Sequence, residues 1–267
     1  LTRNLRELQA GVSIGRSTSV PIAASGAQAY AESMGMVRPA RFDNVIVNIP
    51  QAYRIAHDYE SAPLYQKEAE PHYRALIEET KRQFDFMTTP RIKGGMGLDF
   101  EVTEEDPYSK PSNIPTSLYG APDPSAMMRD VRENNRIKVL STKTTGGHPF
   151  ISNDENDMFR AVHDVFGHAA TGRGFDAHGE EAAFRSHFSM FSPMARPAMA
   201  TETRGQNSVN SFIKTPKELA EGNYADQKVI TLPSTQLITP IGRRSAFNTA
   251  LAQAKRAHER AFGPVNE

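Results

Sequence analysis

The sequence predicts a mostly α protein of the α+β kind: a single helical domain with a few short strands and an extended N-terminal arm. Three observations predict it. Apolar residues recur at three- and four-residue steps through most of the second half of the chain, only two short stretches alternate as strands do, and the opening segment is nearly free of large apolar side chains. At 267 residues the chain is long enough for a sizeable core, and no internal repeat or compositional break divides residues 41–267.

The arm, residues 1–40, takes its character from residues 11–35, where Gly, Ser, Ala and Thr dominate. Such a segment buries little apolar surface to offset its ordering entropy, so a flexible or extended leader is expected, with packing on a partner subunit as the alternative. Over residues 63–86 the pattern turns helical. Tyr73, Leu76, Ile77, Thr80 and Phe84 share one side, with Glu78, Glu79, Lys81 and Arg82 on the other. Gly94, Gly95 and Gly97 mark a loop and lack the strand and helix that flank a nucleotide fingerprint. Leu98, Phe100 and Val102 alternate with Asp99 and Glu101 as in a half-buried strand, and Ile137, Val139 and Leu140 predict a second strand over residues 136–142. Between them, residues 106–124 read as a Pro- and Ser-rich loop. A short helix starts at Pro124, since Pro is well tolerated in a first turn. Further helices are expected over residues 153–166, 180–191, 195–212 and 244–262.

Composition excludes several function classes. Lys plus Arg and Asp plus Glu both number 31, a net charge of zero that argues against general nucleic-acid or acidic-membrane binding. No run approaches the ~20 apolar residues of a membrane span, so a cytoplasmic setting is expected. The chain begins at Leu1, which suggests a processed product, and a lost leader stays open. With no cysteine, disulfides, thiolate metal sites and Cys nucleophiles are ruled out. Any metal site must be built from His, Asp and Glu.

Five of the eight histidines, His148, His163, His168, His178 and His187, lie within forty residues of one another, beside Asp164, Glu180 and Glu181. Imidazole plus carboxylate is a ligand set for Zn, Fe or Mn. His163 and His168 are five apart, which on an unbroken helix means ~140° in direction and ~7.5 Å in rise, too far to share an ion. Gly167 resolves this if the helix ends or loosens there, so a helix defect at Gly167 is expected. The spacing, with Asp164 after the first His, fails the HExxH metallopeptidase pattern. Glu202 is the best third ligand, with Glu180 its main rival. Glu181 is expected to pair with Arg185 on a solvated face, and His187, among Phe184, Phe188 and Phe191, to be a satisfied core histidine. Asp164, Asp157 and Asn207 are candidates to orient the ligands. Phe159, Phe166 and Phe175 could wall the site, although core packing is the preferred account of each.

The run His163-Asp164-Val165-Phe166-Gly167-His168, followed thirty-four residues later by Glu202, resembles the iron site of the pterin-dependent aromatic amino acid hydroxylases. Those enzymes carry His-Glu-x-x-Gly-His on a helix and a Glu on a later helix. The resemblance spans residues 153–207. It implies a mostly helical catalytic core, Fe(II) on a facial triad of His163, His168 and Glu202, and a reduced pterin as reductant. Asp164 and Arg160 stand where that family has Glu and Asp. The chain also resembles uncharacterised proteins of phages and actinobacteria.

These readings lead to a mononuclear non-haem Fe(II) enzyme that hydroxylates a small molecule with O₂, with Asp164 and Arg204 as catalytic candidates, Arg204 to hold an anionic substrate group. The alternatives are a zinc hydrolase on the same histidines, with Asp164 or Glu180 as general base, and a non-enzymatic, phage-associated protein that assembles, or forms a homo-oligomer, through its arm.

Overall fold

The computed structural model describes residues 19–36, 39, 45, 47–108 and 124–237. The helix expected over residues 244–262 lies outside them. The protein is mostly α with one small sheet, as its periodicities predict. In order, the elements are α1 (Pro21–Ser33), α2 (Ile49–Ser61), α3 (Glu70–Thr88), β1 (Asp99–Thr103), α4 (Pro124–Arg129), β2 (Arg136–Leu140), α5 (Asn153–His163), α6 (Ala177–Phe188), α7 (Arg196–Ala200), α8 (Gln206–Phe212), α9 (Pro216–Ala220) and α10 (Ser234–Leu237). Wider π-helical turns follow α4, α5 and α7, at Asp130–Asn134, Asp164–Ala169 and Thr201–Gly205. The strands pair in parallel, with Asp99 opposite Arg136 and Thr103 opposite Leu140.

The expectation of an extended arm is corrected over its second half, where residues 21–33 are helix α1. Its buried side is made of Ala23, Gly26, Ala27, Tyr30 and Ala31. These residues contribute by closeness of approach: a Cβ on Gly26 would fall 2.5 Å from Met96 Sδ. The Val20 amide, just before α1, donates to the Ala169 carbonyl at 2.8 Å, which ties this segment to the π turn after α5. Helix α2 was missed, although its signals are local. Asn48 Oδ1 accepts from the Gln51 amide, Pro50 lies in the first turn, and Ala52, Ile55, Ala56 and Tyr59 form the buried stripe. Helix α3 starts at Glu70 rather than residue 63, with Pro71 in its first turn.

Two apolar clusters form the core, and the α5 segment lies at their seam. Val162, Val165 and Phe166 pack into one with α1, Met127 and the sheet residues Ile137 and Val139. Phe159 packs into the other with Tyr73, Phe184, Phe191 and Val209. Ser152 and Glu155 close a capping box that sets where α5 begins. Helix α6 lies directly against the π turn: a Cβ on Gly167 would meet Ala183 Cβ at 3.0 Å. No described helix is long and apolar enough to cross a membrane.

Candidate metal centre

The helix does not end at Gly167; it widens. Asp164–Ala169 is a π turn, in which backbone hydrogen bonds close from residue i to i+5. Residues five apart then lie nearly above one another, and His163 and His168 come together with ring centroids 5.2 Å apart and planes at 89°. Gly167 contributes by leaving room for Ala183 of α6.

The carboxylate that meets both rings is Glu180, in the first turn of α6. Its Oε2 lies 3.5 Å from His168 Nε2 and 4.0 Å from His163 Nε2. The three residues form the group of potential ligands found among the described residues, each offering an atom within 4.8 Å of the others. Donors bound to one ion at ~2.1 Å and ~90–110° apart lie roughly 3.0–3.4 Å from one another. Closing onto a cation thus needs the two histidine–carboxylate contacts to shorten by no more than about 1 Å. Two features hold Glu180 there. Asp176 caps α6 by accepting from the His178 and Gly179 amides, and Asn207 Nδ2 donates to Glu180 Oε2 at 2.7 Å. Gly179 is required by crowding, since a Cβ there would fall 1.8 Å from the Gly174 carbonyl oxygen.

The donor set suits a divalent cation. His168 Nδ1 lies 3.2 Å from the Arg173 carbonyl, which can only accept, so Nδ1 carries hydrogen and Nε2 is the nitrogen left to face Glu180. The rings are secluded, with side chains 12 % exposed at His163 and 1 % at His168. Burial lowers the pKa of His168, but the facing Glu180 outweighs it and raises the value to about 9. Burial likewise opposes ionisation of Glu180, and His168 and His163 together bring it down to about 2. A cation entering here takes the place of the proton shared between His168 and Glu180.

The cluster opens on a cavity of about 290 Å³, at the lower end of small-molecule sites. Asp164 lines it beside the histidines, and no hydrogen bond or ion pair to a described residue engages its carboxyl group. Burial pushes the Asp164 pKa up, His168 and His163 opposing. Arg160, one turn earlier, donates to the Leu140 carbonyl and to Thr145 Oγ1, both at 2.9 Å; burial lowers its pKa, and the nearby charges of Asp157, Asp164 and Glu202 oppose that. Phe175 packs edge-on against His168 at 4.7 Å, and Phe159 stacks on His163 at 6.2 Å. Phe166 is part of the core rather than the cavity wall.

The structure separates two expected residues from the cluster. Glu202, the expected third ligand, lines the same cavity but has other partners. Its Oε1 accepts from Tyr73 Oη at 2.7 Å and from His148 Nε2 at 3.2 Å, and its Oε2 accepts from Gln206 Nε2 at 2.8 Å. Arg204, expected to hold a substrate group, turns away. It donates through Nε to Glu181 Oε2 at 3.0 Å and through Nη1 to the Gln236 carbonyl at 2.6 Å, and it lies over the Phe184 ring. Glu181 does pair with Arg185, at 2.8 Å, but in a buried network rather than on a solvated face. Asp157 accepts from the Thr142 amide at 2.7 Å and supports the loop before α5 instead of a ligand. His148, one of the five clustered histidines, stands apart from the other imidazoles and is joined to Glu202 by a tertiary contact. His178 accepts from the Val47 amide. The chain matches no protein-family model, no curated protein and no solved structure.

Proposed function

We propose that this protein is a mononuclear non-haem iron enzyme that hydroxylates a small anionic molecule with dioxygen, holding Fe(II) through His163, His168 and Glu180. The observation that carries the reading is the convergence of two imidazole Nε2 atoms and one carboxylate oxygen at the wall of a cavity of about 290 Å³. Two histidines and one carboxylate with open positions are the facial triad of Fe(II) oxygenases, whereas a structural metal site is closed by its ligands. Iron bound there supplies the activation of O₂ and the oxidising power for a C–H bond. Inserting one oxygen atom and releasing the other as water takes two electrons from a reductant, for which the resemblance suggests a reduced pterin.

The remaining roles fall to the chain. Asn207 orients the Glu180 carboxylate, and Phe159 and Phe175 keep water from the imidazoles. Arg160 is the guanidinium placed to meet a carboxylate or phosphate group on the substrate, because it borders the cavity and gives its hydrogen bonds to the neutral oxygens of Leu140 and Thr145, while Asp157, Asp164 and Glu202 nearby offset part of its charge. A zinc hydrolase is the second reading, favoured by one feature: the unengaged Asp164 carboxyl, placed to take a proton from a water in the cavity.

The test is anaerobic loading with Fe(II) or Zn(II), elemental analysis of the purified chain, and oxygen uptake with a reduced pterin and a panel of small carboxylates. Iron at one equivalent with substrate-dependent oxygen uptake supports the first reading. Zinc retention with ester or amide cleavage supports the second. Equal metal content in the parent and in His163→Ala, His168→Ala and Glu180→Ala chains removes both.

A further inference from the structure

We infer that His187 is a positioning residue that fixes which nitrogen of His163 faces the cluster, and that Gln83 of α3 in turn fixes His187. The inference rests on the metal-site reading for its purpose, but the hydrogen-bond chain beneath it stands on geometry alone.

The chain of assignments starts from a group with no choice. The Met190 backbone carbonyl can only accept, and Gln83 Nε2 lies 3.1 Å from it, so the amide nitrogen of Gln83 points that way and Oε1 points the other. Gln83 Oε1 lies 2.7 Å from His187 Nε2, which must therefore carry hydrogen. The remaining His187 nitrogen, Nδ1, is 3.2 Å from His163 Nδ1. His187 is fully buried, with the rings of Phe159, Phe166 and Phe191 at 5.9, 6.4 and 4.8 Å, an apolar surrounding that favours the uncharged ring with a single hydrogen. A neutral ring with hydrogen on Nε2 has a lone pair on Nδ1, so His163 Nδ1–H is the donor across the 3.2 Å contact. His163 is left with Nε2 facing His168 and Glu180 as a lone pair, the form a metal ligand needs.

The relay differs from the support of His168, whose Nδ1 meets a backbone carbonyl directly. At His163 no described backbone group reaches Nδ1, and a side-chain relay from a backbone carbonyl takes that place. The reverse arrangement would put hydrogen on His163 Nε2 and close the site. A hydrogen-bonding partner behind a ligating imidazole is typically worth 10–100-fold in metal affinity.

The test begins with the metal-free parent chain, labelled with ¹⁵N in its imidazoles, and long-range ¹H–¹⁵N correlation spectra near pH 8. Hydrogen on His187 Nε2 and on His163 Nδ1 is expected. Hydrogen on His187 Nδ1, or on His163 Nε2 alone, overturns the inference. The variants Gln83→Leu, His187→Leu and His187→Asn are then titrated with Zn(II). The two leucine variants are expected to bind 10–100-fold more weakly. His187→Asn, whose amide oxygen can accept from His163 Nδ1, should recover most of that loss. Equal weakening by His187→Asn and His187→Leu, with both chains folded, overturns the inference. If the tautomers are as assigned and the parent binds no Zn(II), the enzyme reading fails and the relay stands. If the parent binds Zn(II) with the tautomers reversed, the relay alone fails.

Discussion

Glu180 and Glu202 border one cavity and each faces histidine, yet their surroundings lead to opposite outcomes. His148 Nδ1 accepts from the backbone amides of Phe150 and Ile151, at 3.0 and 2.9 Å, so its Nε2 carries hydrogen and donates to Glu202. His168 Nδ1 meets a backbone carbonyl, so its Nε2 is the nitrogen that can give up its hydrogen to a cation. Donors from Tyr73 and Gln206 complete the cage of N–H and O–H groups around Glu202. Around Glu180 stand two nitrogens able to act as lone pairs and a single amide donor from Asn207. The two pairs thus differ in the backbone group behind the histidine: amides behind His148 commit its Nε2–H to Glu202, whereas a carbonyl behind His168 leaves its Nε2 able to release hydrogen on the metal-site reading.

The strongest way to break this comparison is to remove each carboxylate in turn. Glu180→Ala, like His163→Ala and His168→Ala, is expected to weaken Zn(II) or Fe(II) binding by more than the ~100-fold typical of outer-shell changes. Glu202→Ala should leave metal stoichiometry unchanged. Metal analysis of the four purified chains decides it, and loss of metal from Glu202→Ala with retention in Glu180→Ala would reverse the assignment.

The same pair differs in what it does for folding. Glu202→Ala strands the His148 Nε2–H in the interior, whereas the Tyr73 hydroxyl keeps the Lys228 carbonyl at 2.7 Å as an acceptor. Urea unfolding should therefore show about 1–3 kcal/mol of destabilisation, the cost of one unsatisfied buried group. A change below 0.5 kcal/mol, a bound set by the usual scatter of surface substitutions, would mean that the cage is not holding the fold.

A third test uses pH. In the metal-free chain the His168 pKa is raised to about 9, so its contribution to stability is complete below the unfolded value of ~6.5 and is lost as pH rises through about 9. Glu180 is lowered to about 2, so its contribution is present above its unfolded value of ~4.3 and is lost as pH falls toward about 2. Metal affinity should run the other way on the alkaline side. It gains about tenfold per pH unit up to about 9, because one proton leaves His168 for each ion bound. Calorimetric titrations in buffers of different ionisation heat measure that proton directly, and an affinity flat from pH 6 to 8 would contradict the pairing.

The smallest expected effect sharpens the role of the π turn. Gly167→Ala places a methyl group 3.0 Å from Ala183 Cβ and 3.2 Å from its carbonyl oxygen. Mild overpacking of this kind costs about 1–2 kcal/mol and should displace His168 relative to Glu180, with a several-fold loss of metal affinity. The double variant Gly167→Ala/Ala183→Gly should restore both. Failure to do so would locate the role of Gly167 in the backbone rather than in helix packing.

Much of this was legible in the residues. Helix α3, helix α5, both strands and the near-continuous α7–α8 segment follow from apolar spacing, and the five-residue interval between His163 and His168 demanded a helix defect that exists as a π turn. Helix α1 was misread because its buried face is Ala and Gly, whose value lies in how near they let Met96 come. Among the carboxylates, adjacency in sequence misled. Glu180 and Glu181 are neighbours, yet one faces the imidazoles and the other Arg204, because successive positions on a helix point ~100° apart.

The sequence by itself determined the helical class, the absence of thiolate chemistry, and the two imidazoles whose spacing is workable only on a widened helix. Tertiary structure decided the rest: which acid joins them, which guanidinium borders the cavity, and which histidine stands behind His163. Periodicity acts along one chain segment and is written in local order. A choice among Glu180, Glu181 and Glu202 depends on how helices from distant parts of the chain are turned against one another, and that rotation is set by packing.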